Sequence, residues 1–161
     1  MQINKITDYI TNEKVFLNLA QKIYETTSHL NEIYPEYEKW FYEKQIKESV
    51  IGKRNIIFIT KEDEIIGISS VKKTNEEKKI CTLYVKDEYR NKGIGSILLE
   101  ESFKYLETEK PLITFCDSMI SIYTEFINKY NWELQEILED YYENGKSEYC
   151  YNGKLKNKQK V

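Results

Sequence analysis

Residues 80–100, ICTLYVKDEYRNKGIGSILLE, constrain the fold of this chain more than any other stretch. A β-branched and aromatic run is followed by a charged loop and then by an amphipathic helical pattern. Gly93 and Gly95 stand at the start of the helix, where glycine lets the backbone approach another group closely. Free N–H groups and the positive end of the helix dipole lie at the same place, and Arg90 and Lys92 add full charges. The stretch therefore predicts a strand, a phosphate-binding loop and a helix.

Hydrophobic periodicity along the rest of the chain predicts the order β-α-α-β-β-β-α-β-α-β-β. Short polar turns separate the strands predicted at 56–60, 65–71 and 80–85, which indicates an antiparallel meander. The helix from Gly93 leads to a strand at 112–116, and this crossover should be parallel and right-handed. The predicted fold class is α+β (mixed α/β), with a central mixed, mostly antiparallel sheet flanked by helices. The two final strands are predicted within 132–151.

Length and charge narrow the class of protein. The 161 residues suit a single domain, predicted at 1–153, and a basic tail at 154–161 that carries four lysines. The formal net charge is −3, so the body without the tail is acidic. An acidic body does not suggest a nucleic-acid-binding protein, and it weakly favours small cationic substrates.

Three cysteines, at positions 81, 116 and 150, are odd in number and scattered along apolar runs. This favours reduced thiols in a cytoplasmic protein and offers neither a disulfide framework nor a metal site. The N-terminus lacks the apolar core of a signal peptide, and no stretch approaches the ~20 apolar residues of a membrane span. We therefore expect no membrane association.

The loop and the order of elements together resemble the GNAT acetyltransferase superfamily. Its motif is Arg or Gln, two residues, Gly, one residue, then Gly or Ala, which Arg90, Gly93 and Gly95 match. The match continues upstream through residues 83–85 and downstream through residues 97–99, and the arrangement of elements extends it over almost the whole chain. A nucleotide P-loop is disfavoured because no Lys stands between Gly95 and Ser96.

The resemblance implies acetyl-CoA (coenzyme A) as cofactor and an acetyl-CoA-dependent N-acyltransferase as the enzyme class. The pantetheine arm is expected along the strand that ends at the loop, and a backbone N–H near Val85 is expected to polarise the thioester carbonyl. The pyrophosphate is expected on the loop and the first helical turn. The cofactor-binding residues implied in this way are Leu83, Tyr84, Val85, Arg90, Asn91, Lys92, Gly93, Ile94, Gly95 and Ser96.

Many members of that superfamily use a Tyr on the helix after the fifth strand as general acid. Counting forward from Cys116 places this position near Tyr123, and counting back from Trp132 places it on Ile127, one helical turn away. We predict Tyr123 as the general acid. The alternative is that Tyr123 simply packs, because it lies in the apolar stripe of its helix.

Other candidates carry weaker signals. For a general base the sequence offers three carboxylates near the expected cleft, and each also fits an ordinary surface residue: Glu32, Glu36 and Asp117. His29 fits a surface or capping residue, and Cys116 has no His partner nearby in sequence. Residues 40–42, Trp-Phe-Tyr, are expected to wall an acceptor pocket or to join the core.

The sequence thus predicts an N-acetyltransferase that transfers an acetyl group from acetyl-CoA to a primary amine on a small molecule, amino acid or peptide. The alternative is a non-catalytic acyl-CoA-binding sensor or interaction module. A toxin-like acetyltransferase acting on aminoacyl-tRNA is disfavoured by the acidic body. The exposed edges of the final strands make a homodimer a further hypothesis.

Overall fold

The structure is a computed structural model that describes residues 1–155. Within this range seven strands form one sheet in the order β1-β2-β3-β4-β5-β7-β6. The strands are β1 (Gln2–Lys5), β2 (Arg54–Lys61), β3 (Glu64–Lys73), β4 (Lys78–Val85), β5 (Leu112–Cys116), β6 (Leu134–Glu139) and β7 (Ser147–Tyr151). Only β4 and β5 pair in parallel, and every other neighbouring pair is antiparallel.

Helices cover both faces of the sheet. They are α1 (Glu13–Thr27), α2 (Tyr37–Trp40), α3 (Lys47–Val50), α4 (Ile94–Leu106) and α5 (Ile120–Lys129). The side chain of Asn12 caps α1 by accepting the Val15 N–H at 3.2 Å. Helix α4 makes the crossover between the parallel strands β4 and β5. The predicted order of elements and the mixed, mostly antiparallel sheet are confirmed.

Strand β2 shows why the sheet needs helices on both sides. Alternate side chains of a strand point to opposite faces. Ile56 and Phe58 join the apolar cluster under α1 and α2, whereas Ile57 and Ile59 join the cluster under α4. All four are at most 2% exposed. The continuous apolar run of β2 is therefore the signature of a strand buried on both faces.

The structure departs from the sequence prediction in three places. The sequence pattern predicts one helix that begins near Pro35 and ends at Gly52. In the structure this segment is α-helical only in α2 and α3, because residues Phe41–Ile46 between them form a π-helical turn. Strand β6 starts at Leu134 rather than at 132. Leu155, predicted to belong to a solvated tail, is 7% exposed and packs in a small apolar cluster with Leu112. The rest of the predicted tail, 156–161, lies outside the described residues.

Candidate functional site

A gap in the sheet lies between β4 and β5. The two strands pair at only two positions, Lys79 with Leu112 and Ile80 with Ile113. At the same level the register between β3 and β4 shifts, because Val71 pairs with Ile80 and Ser70 pairs with Thr82. Cys81 is left without an opposite residue and forms a β-bulge, which bends its strand and increases its twist. Beyond Cys81 one edge of β4 therefore faces no neighbouring strand.

Backbone polar groups of Leu83 and Val85 line this gap. The Leu83 carbonyl accepts the Tyr123 hydroxyl at 2.6 Å, and the Val85 carbonyl accepts Arg90 Nε at 3.1 Å. The N–H and C=O of one strand residue point to the same edge. The N–H groups of Leu83 and Val85 thus face the gap as well. The intervening Tyr84 lies beside His29, with 4.7 Å between the two ring centroids.

The loop after β4 ends in an open helix N-terminus. Asn91 and Gly93 both have left-handed backbone, with φ of 60° and 84°. No atom lies within 4 Å of the place where a Gly93 Cβ would stand. No side chain caps α4, and the Ile97 N–H to Gly93 carbonyl bond (3.1 Å) is the first of the helix. The N–H groups before Ile97 are the ones that a helix leaves without intrahelical partners.

The charged side chains of this loop have different surroundings. Arg90 is held by the Val85 carbonyl and by Asp87, whose Oδ1 lies 3.2 Å from the Arg90 guanidinium. Lys92 is exposed, with its ammonium 5.8 Å from the centroid of the Tyr89 ring. Arg90 therefore ties the loop to the end of β4. Lys92 is the cation that the loop presents to solvent.

Residues 94–96 form the first turn of α4, and each of the three has different surroundings. Ile94 is 5% exposed and belongs to the core, so only its backbone is available at the helix end. A Cβ on Gly95 would stand 3.3 Å from the Phe126 ring of α5. The missing side chain of Gly95 thus lets α4 and α5 approach each other. Ser96 is half-buried in the first helical turn.

Tyr123 stands where the gap meets a cavity on the α1–α2 face of the sheet. Its ring stacks on Phe115 with 4.6 Å between centroids and 20° between planes. Burial raises the pKa of Tyr123 to about 12, against a smaller opposing effect of Arg90. The hydroxyl therefore carries its proton at neutral pH. Ile127, the rival position from sequence counting, packs against the core and its carbonyl accepts the Trp132 N–H at 3.0 Å.

The cavity has a volume of about 300 Å³ and lies between the α1–α2 connection, β4, β5 and the β6–β7 connection. Its aromatic lining consists of Tyr34, Tyr37, Trp40, Phe115, Tyr123, Tyr141 and Tyr142. Its charged lining consists of Lys44, Arg54, Lys72, Lys79, Glu76 and Glu77. Arg54 pairs with Glu48 at 3.5 Å and Lys72 with Glu77 at 3.1 Å. Cations thus outnumber carboxylates around the cavity, although the protein as a whole is acidic.

Glu148 is a buried carboxylate beneath the aromatic wall of the cavity. It is 3% exposed, and its Oε1 accepts the Tyr34 hydroxyl at 3.2 Å. Its Oε2 is buried and has no hydrogen-bond partner among the described residues. Burial raises the pKa of Glu148 to about 7, and the hydroxyls of Thr114 and Tyr34 restrain the rise. A carboxyl group with such a pKa exchanges its proton near neutrality.

The three carboxylates proposed from the sequence as general bases do not line the cavity. Glu32 and Glu36 are exposed. Asp117 is also exposed, and the hydrogen bond from the Cys116 thiol holds its pKa below the ordinary value. Sequence reasoning missed Glu148. A signal was available in the sequence, because Glu148 lies two residues before the apolar Cys150. In a strand this spacing puts the carboxylate on the same, core-facing side as the cysteine.

The remaining candidates divide between the core and the surface. Trp40 lines the cavity, Phe41 is fully buried, and Tyr42 lies beside Tyr24 outside the cavity. Cys116 lines the cavity and donates its thiol hydrogen to Asp117 at 3.3 Å. His29 is exposed, as predicted.

Comparison with known proteins gives a family and several solved structures of similar fold. The family model for the acetyltransferase (GNAT) family matches residues 17–122, more than half of the chain. This chain belongs to that family. The matched range contains the gap, the loop and α4, and it ends within α5. No sequence among the curated proteins is significantly similar to this GNAT chain.

Solved structures share the GNAT fold at low sequence identity. A Desulfovibrio desulfuricans protein assigned to the GNAT family is 15% identical, with a TM-score of 0.65 over 83% of this chain and 90% of its own. An aminoglycoside 6'-N-acetyltransferase complexed with coenzyme A is 13% identical, with a TM-score of 0.64 over 98% and 100%. The ribosomal-protein-S18-alanine N-acetyltransferase of Escherichia coli is 14% identical, with a TM-score of 0.54 over 70% and 80%.

Membership makes this protein an acetyl-CoA-dependent N-acyltransferase, and its own residues fit that cofactor. Diphosphate oxygens accept hydrogen bonds, and the open N-terminus of α4 supplies N–H donors beside the exposed Lys92. The space at Gly93 lets an anion approach these donors. The amides of a pantetheine arm need backbone partners, and the Leu83 and Val85 N–H groups on the unpaired edge of β4 could supply donors for them. When bound, acetyl-CoA supplies an activated acetyl thioester.

The described residues contain no cluster of three or more His, Cys, Asp or Glu side chains placed to hold a metal ion. None of their helices is both long and apolar enough to cross a lipid bilayer.

Proposed function

We propose that this protein transfers an acetyl group from acetyl-CoA to a primary amine that binds in the aromatic cavity. One observation carries the proposal: the Tyr123 hydroxyl lies at the junction of the β4–β5 gap and the cavity. The gap fits the donor arm and the cavity fits an acceptor, so the two substrates would meet beside a protonated hydroxyl. This is the arrangement that acyl transfer requires.

In this proposal the residues of the loop hold the diphosphate. The N–H groups of residues 94–96 donate to it, Lys92 faces it, and Arg90 fixes the loop against Val85. Leu83 and Val85 pair with the pantetheine arm. A Val85 N–H polarises the thioester carbonyl, since it lies on the free edge of β4.

Tyr123 acts as the general acid that protonates the departing thiolate. Its raised pKa keeps the proton in place at neutral pH, and its hydrogen bond to the Leu83 carbonyl holds the hydroxyl at the edge of the gap. The Phe115 ring fixes the orientation of the Tyr123 ring. The backbone N–H and C=O of Tyr84, the residue after Leu83, face the opposite edge of the strand.

The residues that line the cavity indicate which class of acceptor it would bind. Its aromatic side chains favour an acceptor with an apolar or aromatic group. Lys44 and Lys79 line it, and neither forms an ion pair within the described range 1–155. We therefore propose an amine that carries an anionic group, such as an amino acid or an acidic peptide N-terminus, over a polycation. This reverses the weak sequence expectation of a small cationic substrate, which rested on the charge of the whole body.

The test is a titration calorimetry measurement with acetyl-CoA, followed by a thiol-release assay over a panel of primary amines. Binding together with thiol release that depends on the amine supports the proposal. Binding with no release for any amine favours the acyl-CoA sensor, and absence of binding removes the proposed cofactor site. We further propose a cytoplasmic location, because the three cysteines are free thiols.

A homodimer remains a proposal as well. Strand β6 is an edge of the sheet, and its Leu134 and Ile137 are each 47% exposed. Exposed apolar edge strands favour pairing with another chain. Sedimentation velocity at several protein concentrations measures the oligomeric state directly.

A further inference from the structure

We propose that Glu148 and Tyr34 form a proton relay that deprotonates the acceptor amine. The inference deepens the proposed function and depends on it. A primary amine reaches the protein mainly as an ammonium ion and becomes a nucleophile only when it loses a proton. The three carboxylates that the sequence offered for this step are exposed and do not line the cavity.

The geometry of the relay rests on one hydrogen bond through the cavity wall. Tyr34 lines the cavity, and its hydroxyl donates to Glu148 Oε1 at 3.2 Å. Glu148 does not itself line the cavity, so a bound amine reaches the carboxylate only through the hydroxyl. Tyr34 is held in place by Tyr142, whose ring meets it edge-on with 4.8 Å between centroids.

The proton step balances within these two side chains. An N–H bond of the ammonium breaks and its electron pair stays on nitrogen. The proton passes to the Tyr34 oxygen as the original hydroxyl proton moves to Glu148 Oε1. The amine becomes neutral, Tyr34 ends as it began, and Glu148 ends as a carboxylic acid. Burial, and to a smaller extent the charge of Glu148, raises the pKa of Tyr34 far above its ordinary value. The tyrosinate form therefore does not accumulate.

Burying a carboxylate is costly unless the charge is compensated or has a function. Here the Lys79 ammonium is the cation that stabilises the ionised form, and it lies on β4 across the cavity. The titratable groups that face Glu148 from the surrounding elements are Tyr34, Lys79, Cys116, Asp117, Tyr141 and Tyr142. Burial raises the pKa of Glu148 to about 7, and it raises the pKa of Tyr34, Tyr141 and Tyr142 above the ordinary value of tyrosine.

The experiment measures kcat/KM for the acceptor from pH 5.5 to 9 with saturating acetyl-CoA, using thiol release. Two acceptors whose amines differ in pKa are compared. The relay predicts an acid limb with an apparent pKa near 7 that is the same for both acceptors. Glu148→Gln should remove this limb and lower the rate at pH 7.5 by about 100-fold. Tyr34→Phe, which keeps the ring, should have the same two effects.

Glu139→Gln is the matched control, because Glu139 is an exposed carboxylate on β6 opposite Ser147 of β7. It should keep the wild-type profile. Acetyl-CoA titration and thermal unfolding of each variant separate loss of the relay from loss of the fold.

An acid limb that follows the pKa of the acceptor, or one that persists in Glu148→Gln and Tyr34→Phe, overturns the relay while leaving the acetyltransferase proposal intact. Wild-type protein that binds acetyl-CoA and acetylates no amine overturns both.

Discussion

Tyr123 donates its hydroxyl hydrogen to the carbonyl of Leu83 across 2.6 Å, and this bond spans the gap in the sheet. The donor is a side chain of α5, and the acceptor is a backbone group that an ordinary β4–β5 pairing would have used. The Tyr123 hydroxyl thus occupies the place of a strand partner. A ligand amide or thioester entering the gap competes for the same edge of β4.

Tyr123→Phe tests the role of this hydroxyl. Loss of a general acid typically lowers the rate by 10²–10⁴-fold, so we expect kcat to fall at least about 100-fold. The affinity for acetyl-CoA should stay within about threefold, because the ring and its stacking on Phe115 remain. Tyr105→Phe is the control, since Tyr105 packs against the same core from α4. Unchanged kcat in Tyr123→Phe would exclude the hydroxyl from the reaction.

Gly93→Val tests the open helix end. Valine at φ of 84° is strained by about 1–3 kcal/mol, and its side chain fills the space in front of the N–H donors. We expect the Kd for acetyl-CoA to rise at least about tenfold in calorimetric titration. Gly52→Val is matched to it, because Gly52 has a φ of 80° and an equally open Cβ direction between α3 and β2. If Gly93→Val and Gly52→Val lost the same affinity for acetyl-CoA, the loss would come from a damaged fold and not from the helix end.

The stability of the fold should depend on Glu148 between about pH 4.5 and pH 7. The folded pKa of about 7 lies above the unfolded value of 4.5, so in this range the folded state binds the extra proton. Stability contributed by the protonated form is therefore lost as the pH rises, by about 3 kcal/mol at most. Urea unfolding at pH 5 and pH 8 should show a smaller difference in Glu148→Gln than in wild type. An equal difference in the two proteins would place the titration elsewhere.

Lys79→Gln tests the charge of the cavity. Lys79 lines the cavity, whereas its neighbour Lys78 does not. We expect Lys79→Gln to lower kcat/KM for an amine with a carboxylate group about 5–10-fold more than for an uncharged amine of the same shape. Lys78→Gln should leave both values unchanged. A polyamine that is acetylated faster than either amine by wild-type protein would contradict the proposed acceptor class.

The sequence predicted those features that depend on local patterns. The seven strands follow from apolar runs, continuous or alternating, that are bounded by turns, and α4 follows from Gly93 and its amphipathic stripe. Forward counting from Cys116 placed Tyr123 on the helix where the structure has it, α5. Its role as general acid stays a prediction. The left-handed φ of Gly93 is a conformation that glycine adopts without strain.

Features that depend on contacts between distant segments were not predicted. The bulge at Cys81 is visible only once β4 is paired with β3. The packing role of Gly95 depends on Phe126, which lies on another helix. Glu148 acquires its surroundings from Tyr34, which lies 114 residues earlier in the chain. No local pattern contains such a pair.

The bulge at Cys81 has a thermodynamic consequence for the protein in the cell. By turning β4 away from β5, it leaves an unfinished hydrogen-bond ladder in the middle of the sheet, a place where proteins normally tolerate no open edge. In the proposed function a donor arm lies in that space and takes the place of the missing strand, so that the sheet would be complete only in the complex. At 100 times Kd a ligand adds about 2.7 kcal/mol to folding stability. The concentration of acyl donor would then set the folding stability of the protein as well as its rate of turnover.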